Sequence, residues 1–236
     1  MANSYMSARR KYEEVSAKAA TYDPDALFEL AKMYENPAEG MPIEKDLDEA
    51  LWYYCASVWE AHKLGKRYRA SAFSAGRLLY KGTQSNIDTK SAYHYMMYAA
   101  NAGHSTALEM LGCYHLGYAP MTQGCGYERI PVLGIKYINA AIEKGSVNAI
   151  FDLAMAYYEG NGVVRDEFVA RDWFMKAGEK GHVGAMYNVG VISEKAVDYD
   201  IAGEWFDKAA RGGDQQARKA LQRYKQNKRT GKWDLS

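Results

Sequence analysis

The residue types that most often carry out chemistry in proteins show no ligand or catalytic spacing in this chain. The five histidines contain no H-x-x-x-H pair: His62, His94, His104, His115 and His182. Cys113 and Cys125 are twelve residues apart and have no C-x-x-C partner, which argues against a zinc site. We therefore expect structural or surface histidines, no metal and no cofactor.

A catalytic set is not apparent elsewhere in the sequence. Gly160, Asn161 and Gly162 resemble a phosphate-binding loop only superficially, because they follow a predicted helix rather than a strand and lack the lysine. No nucleophile, base and orienting group stand out together. The sequence therefore predicts an inter-helix turn at Gly160–Gly162 and a protein that is not an enzyme.

The charge distribution disfavours a general polyanion binder, because the formal net charge is only +1. The C-terminal stretch is nevertheless basic, with Arg218, Lys219, Arg223, Lys225, Lys228, Arg229 and Lys232. Such an arm can contact phosphates, but basic residues also stabilise the C-terminal end of a helix. We expect no nucleic-acid partner and keep nucleic-acid association through this tail as an alternative.

Composition also bears on the compartment. The chain has no run of 18 apolar residues, and its first residues, MANSYMSARRKYEE, contain no apolar signal region. Three cysteines form an odd and sparse set, which fits a reducing compartment better than a disulfide framework. We expect a cytoplasmic protein without membrane contact.

The organisation of the chain follows from a helical pattern that recurs. It occurs twice near the C-terminus, as Ala170, Trp173, Phe174, Ala177, Gly181 and as Ala202, Trp205, Phe206, Ala209, Gly213. The spacing i, i+3, i+4, i+7 is one face of an α-helix, and the glycine is a typical helix stop. Further copies start at Ala92 and Gly134, with a blurred copy at Ala50. Four residues before these starts stand candidate N-caps, Asp46, Asp88, Asp166 and Asp198, with Ile130 as the exception.

We call the helices with this pattern B helices. A second type of helix, the A helix, precedes each of them. These A helices open with a small residue, at Ala26, Ser71, Ala107, Ala149 and Ala185. A helix pair that recurs at such intervals is typical of an α-solenoid, in which each repeat buries its apolar face against its neighbours.

The fourth copy resembles one full Sel-one-like repeat, a relative of the tetratricopeptide repeat. The family's pattern is met at Ala149, Leu153, Tyr157, Gly160, Gly162, Val163, Asp166, Ala170, Trp173, Ala177 and Gly181. The resemblance implies an all-α, right-handed α–α solenoid of about five helix pairs over residues 25–214. Residues 1–24 would form an N-terminal capping helix, and residues 215–236 a C-terminal capping helix and basic tail. The first and third repeats depart from the pattern mainly in their loops.

The resemblance also indicates where a partner would bind. By similarity to tetratricopeptide geometry, the exposed A-helix positions lie two, six and nine residues after the opening small residue. They are Phe28, Lys32, Glu35, Phe73, Arg77, Tyr80, Glu109, Cys113, Leu116, Phe151, Met155, Tyr158, Tyr187, Val191 and Glu194. From these we predict the partner-binding residues Phe28, Phe73, Arg77, Tyr80, Phe151, Met155, Tyr158 and Tyr187. The alternative is that these aromatic residues only pack between repeats.

The connection inside the third repeat is enlarged. Residues 117–134 make it much longer than the matching loops of the second and fourth repeats. Long loops in compact arrays are often functional, although a surface loop also tolerates drift. A small-ligand-binding protein or hydrolase that uses this loop and His115 is therefore an alternative function.

The family resemblance implies a protein-interaction scaffold. Intracellular relatives act as adaptors, as regulators of signalling or as neutralisers of toxins, so an inhibitor or immunity-type role is included. We expect a protein or peptide partner on the concave A-helix surface, and the sequence leaves the oligomeric state open.

Overall fold

The computed structural model describes residues 2–66, 68–83, 87–118 and 126–230 of the chain, with side chains from residue 6 onward. Regular structure in this part is entirely helical, so the all-α fold is confirmed. The helices are α1 Ala2–Ala19, α2 Pro24–Glu35, α3 Leu47–Lys63, α4 Arg69–Lys81, α5 Thr89–Asn101, α6 Ser105–Leu116, α7 Pro131–Glu143, α8 Val147–Glu159, α9 Glu167–Glu179, α10 Val183–Lys195, α11 Tyr199–Arg211 and α12 Gln215–Thr230.

The helices belong to two compact units, residues 1–128 with α1 to α6 and residues 129–236 with α7 to α12. Within each unit every helix packs against the next one along the chain. This is the sequential helix packing that the repeat predicts. The boundary between the units falls in the long connection of the third predicted repeat. The predicted division into two capping segments and a solenoid stays a prediction.

The recurring small and aromatic residues build the cores. The five opening residues of the A helices are buried, with at most 6% of each exposed: Ala26, Ser71, Ala107, Ala149 and Ala185. Each B helix has two adjacent large residues in its pattern, and the second of them is also buried, with at most 1% exposed. These residues are Tyr54, Met96, Ile138, Phe174 and Phe206. Small residues let the helices approach closely, and burying each large side chain contributes about 1.5–3 kcal/mol.

Aspartates cap the B helices as the sequence predicts at three positions. The carboxylates of Asp46, Asp88 and Asp166 each accept N–H bonds from the first turn of α3, α5 and α9. Asp198 occupies the N-cap position of α11 but makes no capping bond to a described residue. Helix α7 instead begins with Pro131 at its first position, where the missing N–H costs nothing.

At the ends of α5, α7, α9 and α11, one residue both closes the helix and caps the next one. Positive φ angles occur at Gly103, Gly145, Gly181 and Gly213, as expected for helix-stop glycines. The residue that follows each glycine donates its N–H back to the finished helix and caps the next one with its side chain. These residues are His104, Ser146, His182 and Asp214. The glycine therefore allows a turn of minimal length between helices.

Candidate partner-binding surface

Three of the predicted binding residues line one concavity in the second unit. Phe151, Met155 and Tyr158 lie at i, i+4 and i+7 of α8, so they share one helix face. The concavity has a volume of about 290 Å³ and is completed by Phe174 of α9 and by Asn188, Val191 and Ile192 of α10. We call this concavity the α8/α10 pocket. Its walls are mostly aromatic, aliphatic and thioether groups.

The Phe151 ring is held from two sides. Its centroid lies 5.5 Å from that of the buried Phe174 ring and 4.4 Å from that of His182, with which it stacks at 17°. The His182 Nδ1 accepts the N–H of Ala185 at 3.0 Å and so caps α10. The ring is half-buried, and these two neighbours fix its position.

The opposite end of the pocket carries positive charge. The Lys195 Nζ donates to the Tyr158 hydroxyl at 2.7 Å and lies 5.2 Å from the centroid of that ring. The Arg165 guanidinium lies 6.0 Å from the same centroid and is bonded to Glu167. The hydrogen bond to the Tyr158 hydroxyl, together with the negative charge of nearby Glu167, raises the pKa of Lys195.

The other predicted residue of this unit lies elsewhere on α10. Tyr187 is half-buried, and its ring centroid is 5.9 Å from that of Phe206 on α11. It packs against the next helix pair, so for this residue the structure supplies a packing role.

In the first unit the predicted residues are half-buried and make packing contacts. The Phe28 ring lies 5.7 Å from the Tyr54 ring, and the Lys32 Nζ lies 5.4 Å from the Phe28 centroid. The Phe73 ring stacks on His104 at 4.2 Å. Tyr80 is also half-buried on α4. Whether these rings bind a partner stays a prediction.

Arg77 takes part in a polar network between helices. Its guanidinium donates to Glu35 at 2.5 Å, and the Tyr54 hydroxyl donates to the other oxygen of the same carboxylate at 2.8 Å. Only 27% of the Arg77 side chain and 14% of the Glu35 side chain are exposed. Burial and the bonded carboxylate raise the pKa of Tyr54. This network joins α2, α3 and α4, so Arg77 has a structural partner in addition to its predicted role.

One predicted exposed position is wrong. Leu116, the ninth-position residue of the third A helix, is only 4% exposed. Its helix, α6, ends at this residue and Gly117 follows in a left-handed conformation. Leu116 therefore belongs to the core rather than to the surface.

The alternative site around His115 is enclosed. His115 is 2% exposed, and its Nε2 lies 3.1 Å from the Tyr93 hydroxyl. Burial lowers the pKa of this imidazole. A stacked ring, Tyr127, packs over Tyr93 at 4.2 Å, and its carbonyl accepts from Tyr114. Residues 119–125 of the enlarged loop lie outside the described residues, and the rings of Tyr93 and Tyr114 pack against His115.

The basic C-terminal helix forms ion pairs within the second unit. Arg223 donates to Glu194 at 2.6 Å, and Lys228 donates to Asp200 at 2.9 Å. The latter carboxylate, together with the Tyr224 hydroxyl, raises the pKa of Lys228 to about 12. These two cations hold α12 against α10 and α11, while Lys232 lies outside the described residues.

Several residues of the pocket were not predicted from the sequence. They are Phe174, Asn188, Ile192, Lys195, Arg165 and the cap His182. A signal for His182 was present, because it occupies the same place after the glycine as Ser146 and Asp214, which are common N-cap types. Lys195 and Asn188 depend on how α10 lies beside α8, which periodicity within one helix does not report.

Among the described residues, no three histidine, cysteine or acidic side chains are grouped so that they could hold a metal ion. None of the described helices combines the length and the apolar character needed to cross a membrane. Cys55 on α3 carries a free thiol, and burial raises its pKa.

Comparison with known protein families shows which residues match a known repeat. The sequence profile of the Sel1 repeat matches residues 24–57, 69–104, 147–182 and 183–214, which together are more than half of the chain. The third predicted repeat, which opens at Ala107, falls outside the matched segments. This repeat has the enlarged loop, and it has Ile130 where the other repeats have an aspartate before the B helix, which is consistent with that result.

Similar proteins come from yeast and bacteria. The chitin synthase regulator SKT5 of Saccharomyces cerevisiae is 26% identical over 200 residues, which is 80% of this chain and 27% of that protein. A crystal structure of a protective antigen of uropathogenic Escherichia coli with an SLR fold has a TM-score of 0.76 and 26% identity over 89% of this chain and 43% of that one. A Sel1 repeat protein of Oxalobacter formigenes also has a TM-score of 0.76, at 22% identity over 90% and 83% of the two chains. This chain thus spans about a quarter of the yeast relative and less than half of the antigen.

Proposed function

The chain belongs to the Sel1 repeat family, and from that premise we propose that it is a non-enzymatic scaffold that binds a protein or peptide partner through its A helices. The observation that carries this proposal is the α8/α10 pocket. Three A-helix residues chosen by repeat position, Phe151, Met155 and Tyr158, line it together. Aromatic and methionine side chains are enriched where proteins bind each other.

The size of the pocket supports a protein side chain as occupant. Pockets that enclose drug-sized ligands have volumes of about 300–1,000 Å³, and this one, at about 290 Å³, lies just below that range. Its ring walls are already fixed by Phe174 and His182. A single apolar side chain of a partner therefore fits it better than a substrate that must also be positioned for a reaction.

The relatives bear on the kind of scaffold. SKT5 is named as a regulator of an enzyme, and the matched region is 27% of its length. That likeness supports a regulatory role for this chain above an inhibitor or immunity-type role. We also propose a cytoplasmic location, because the chain has only three cysteines and Cys55 carries a free thiol, as is usual in reducing compartments.

A pair of charge substitutions tests the proposal. Met155→Lys places an ammonium group in the pocket, whereas Met175→Lys makes the same change at a half-buried methionine on α9. A lysine can extend its charged end to solvent, so both variants should fold, which circular dichroism checks.

The readout is the set of proteins retained from a native lysate by each immobilised variant. We expect Met155→Lys to lose proteins that the wild type and Met175→Lys retain, because the charge must be desolvated under a bound partner. The proposal fails if all three proteins retain the same set.

A further inference from the structure

The two ends of the α8/α10 pocket differ in chemistry. The Phe151 end is aromatic, whereas the Tyr158 end carries the Lys195 ammonium group, 2.7 Å from the Tyr158 hydroxyl, and the Arg165 guanidinium. Because Phe151 and Tyr158 are two turns apart on α8, the pocket has a defined direction. A bound segment would therefore meet apolar groups first and a cation next.

The acidic side chains nearest to Lys195 in the sequence and in the pocket already have hydrogen-bond partners. Glu167 is bonded to Arg165, and Glu194 accepts from Arg223 at 2.6 Å. Asp166 accepts two backbone N–H bonds at the start of α9. Lys195 donates instead to a neutral phenol hydroxyl. A carboxylate is a stronger acceptor for an ammonium group than a neutral hydroxyl, so an incoming carboxylate would improve the pairing of Lys195.

Asn188 supplies a polar group in the middle of the pocket. Its Nδ2 lies 3.9 Å from the Met155 Sδ, which is a weak acceptor. A peptide carbonyl is a better acceptor, and the amide side chain of Asn188 can both donate and accept. It can therefore bond the backbone of an extended segment without selecting its sequence.

Resting on the proposed function, we infer that the partner is an acidic peptide segment, with an apolar side chain in the α8/α10 pocket and an aspartate or glutamate paired with Lys195. The distance sets the spacing between the two. The Lys195 Nζ lies 5.2 Å from the centroid of the Tyr158 ring in the pocket wall. An extended chain advances about 3.3 Å per residue and its successive side chains point to opposite faces, so the acid stands two positions from the apolar residue.

A peptide selection tests this inference first. The full chain is immobilised and presented with a display library of random nine-residue peptides whose C-termini are fused to the coat protein. The expected result is enrichment of peptides with an apolar residue and an acidic residue two positions away. Enrichment of basic peptides, or of apolar peptides without an acid, would overturn the inference.

A double-substitution cycle then locates the charge contact. The most enriched peptide is synthesised with an amidated C-terminus, together with a version in which its acid is replaced by the amide. Both are titrated against the wild type, Lys195→Met and Lys176→Met. The control is matched, because Lys176 also lies over an aromatic ring, 3.8 Å from the Trp173 centroid, but on α9.

On the wild type and on Lys176→Met, we expect the amide version to bind about threefold more weakly than the acidic version. On Lys195→Met, the two versions should bind equally well. An equal loss on all three proteins overturns the inference.

The failure of this inference differs from the failure of the proposed function. Peptides that lose binding to Met155→Lys but show no preference for an acid would leave the function standing and remove the acidic partner. If the library yields no peptide that distinguishes Met155→Lys from the wild type, the inference is wrong, and the proposed function fails as well only if the three proteins also retain the same set from the lysate.

Discussion

The His182 imidazole caps α10 and at the same time stacks on Phe151 of α8, with ring centroids 4.4 Å apart. The same arrangement occurs in the first unit, where His104 caps α6 and stacks on Phe73 at 4.2 Å. One side chain thus fixes the start of an A helix and the position of an aromatic ring on the A helix before it. In the second unit that ring is also a wall of the α8/α10 pocket.

A double-mutant cycle should detect this coupling. Serine at the His182 position keeps a cap of the kind that Ser146 supplies, while it removes the imidazole ring. We expect Phe151→Leu and His182→Ser to show a coupling energy of about 0.5–1.5 kcal/mol in urea unfolding. Phe151→Leu combined with His62→Ser, an exposed histidine on α3, should be additive. Additivity in both cycles would contradict a structural role for the stack.

Acidification should destabilise the protein below neutral pH. Burial, and secondly the charge of Arg69, lower the pKa of His104, and burial lowers the pKa of His115. The unfolded chain therefore takes up these protons at higher pH than the folded chain does. The resulting stability is present above the unfolded value, about 6.5, and is lost as the pH falls through the lower folded values.

The histidine contribution can be isolated with His104→Ser. A serine retains the cap of α6 but does not titrate, so the fall in unfolding free energy between pH 7.5 and pH 5 should be smaller than in the wild type. His62→Ser, at an exposed position, is the control and should keep the wild-type fall. A wild-type fall in His104→Ser would show that the cap histidine does not contribute.

The Glu35 carboxylate should matter more for stability than surface acids do. Glu35→Ala removes the acceptor for both Arg77 and the Tyr54 hydroxyl. We expect a loss of about 2–3 kcal/mol, because two polar groups lose their partner in a largely buried place. Glu13→Ala breaks an exposed pair with Arg9 and should cost less than about 0.5 kcal/mol. Equal losses in thermal or urea unfolding would contradict the structural role of this network.

Two glycines of α10 should respond oppositely to alanine. A Cβ at Gly190 would lie 2.5 Å from the Phe206 ring, so Gly190→Ala should cost about 1–3 kcal/mol. At Gly184 the nearest atom would be 3.4 Å away, an ordinary contact. Gly184→Ala should therefore stabilise the protein by up to about 1 kcal/mol through helix propensity. Stabilisation of both variants would show that α11 can move away from α10.

The repeat was predictable because its signals are local. A spacing of i, i+3, i+4, i+7 reports the buried face of a single helix, and Asp166 and Gly181 mark where α9 begins and ends. The common face of Phe151, Met155 and Tyr158 on α8 was predictable for the same reason, and these three residues line one pocket. The sequence therefore predicted the repeats and one wall of the pocket.

The other wall depends on contacts between helices. Lys195 and Asn188 reach the pocket only because α10 lies beside α8, and Arg77 pairs with Glu35 across a gap of 42 residues. His182 was overlooked as a cap because histidine is not among the preferred N-cap residues. Stacking on Phe151 adds a contact that compensates for this weaker preference.

The most direct test of partner binding in the α8/α10 pocket is site-specific crosslinking. A photoreactive benzoylphenylalanine replaces Met155 in one protein and Met175 in another, and each is irradiated in native lysate. Binding in the pocket predicts a discrete crosslinked protein from position 155 that is absent from position 175, and that Val191→Lys diminishes. Identical crosslinks from both positions, or crosslinks from position 175 alone, would contradict it.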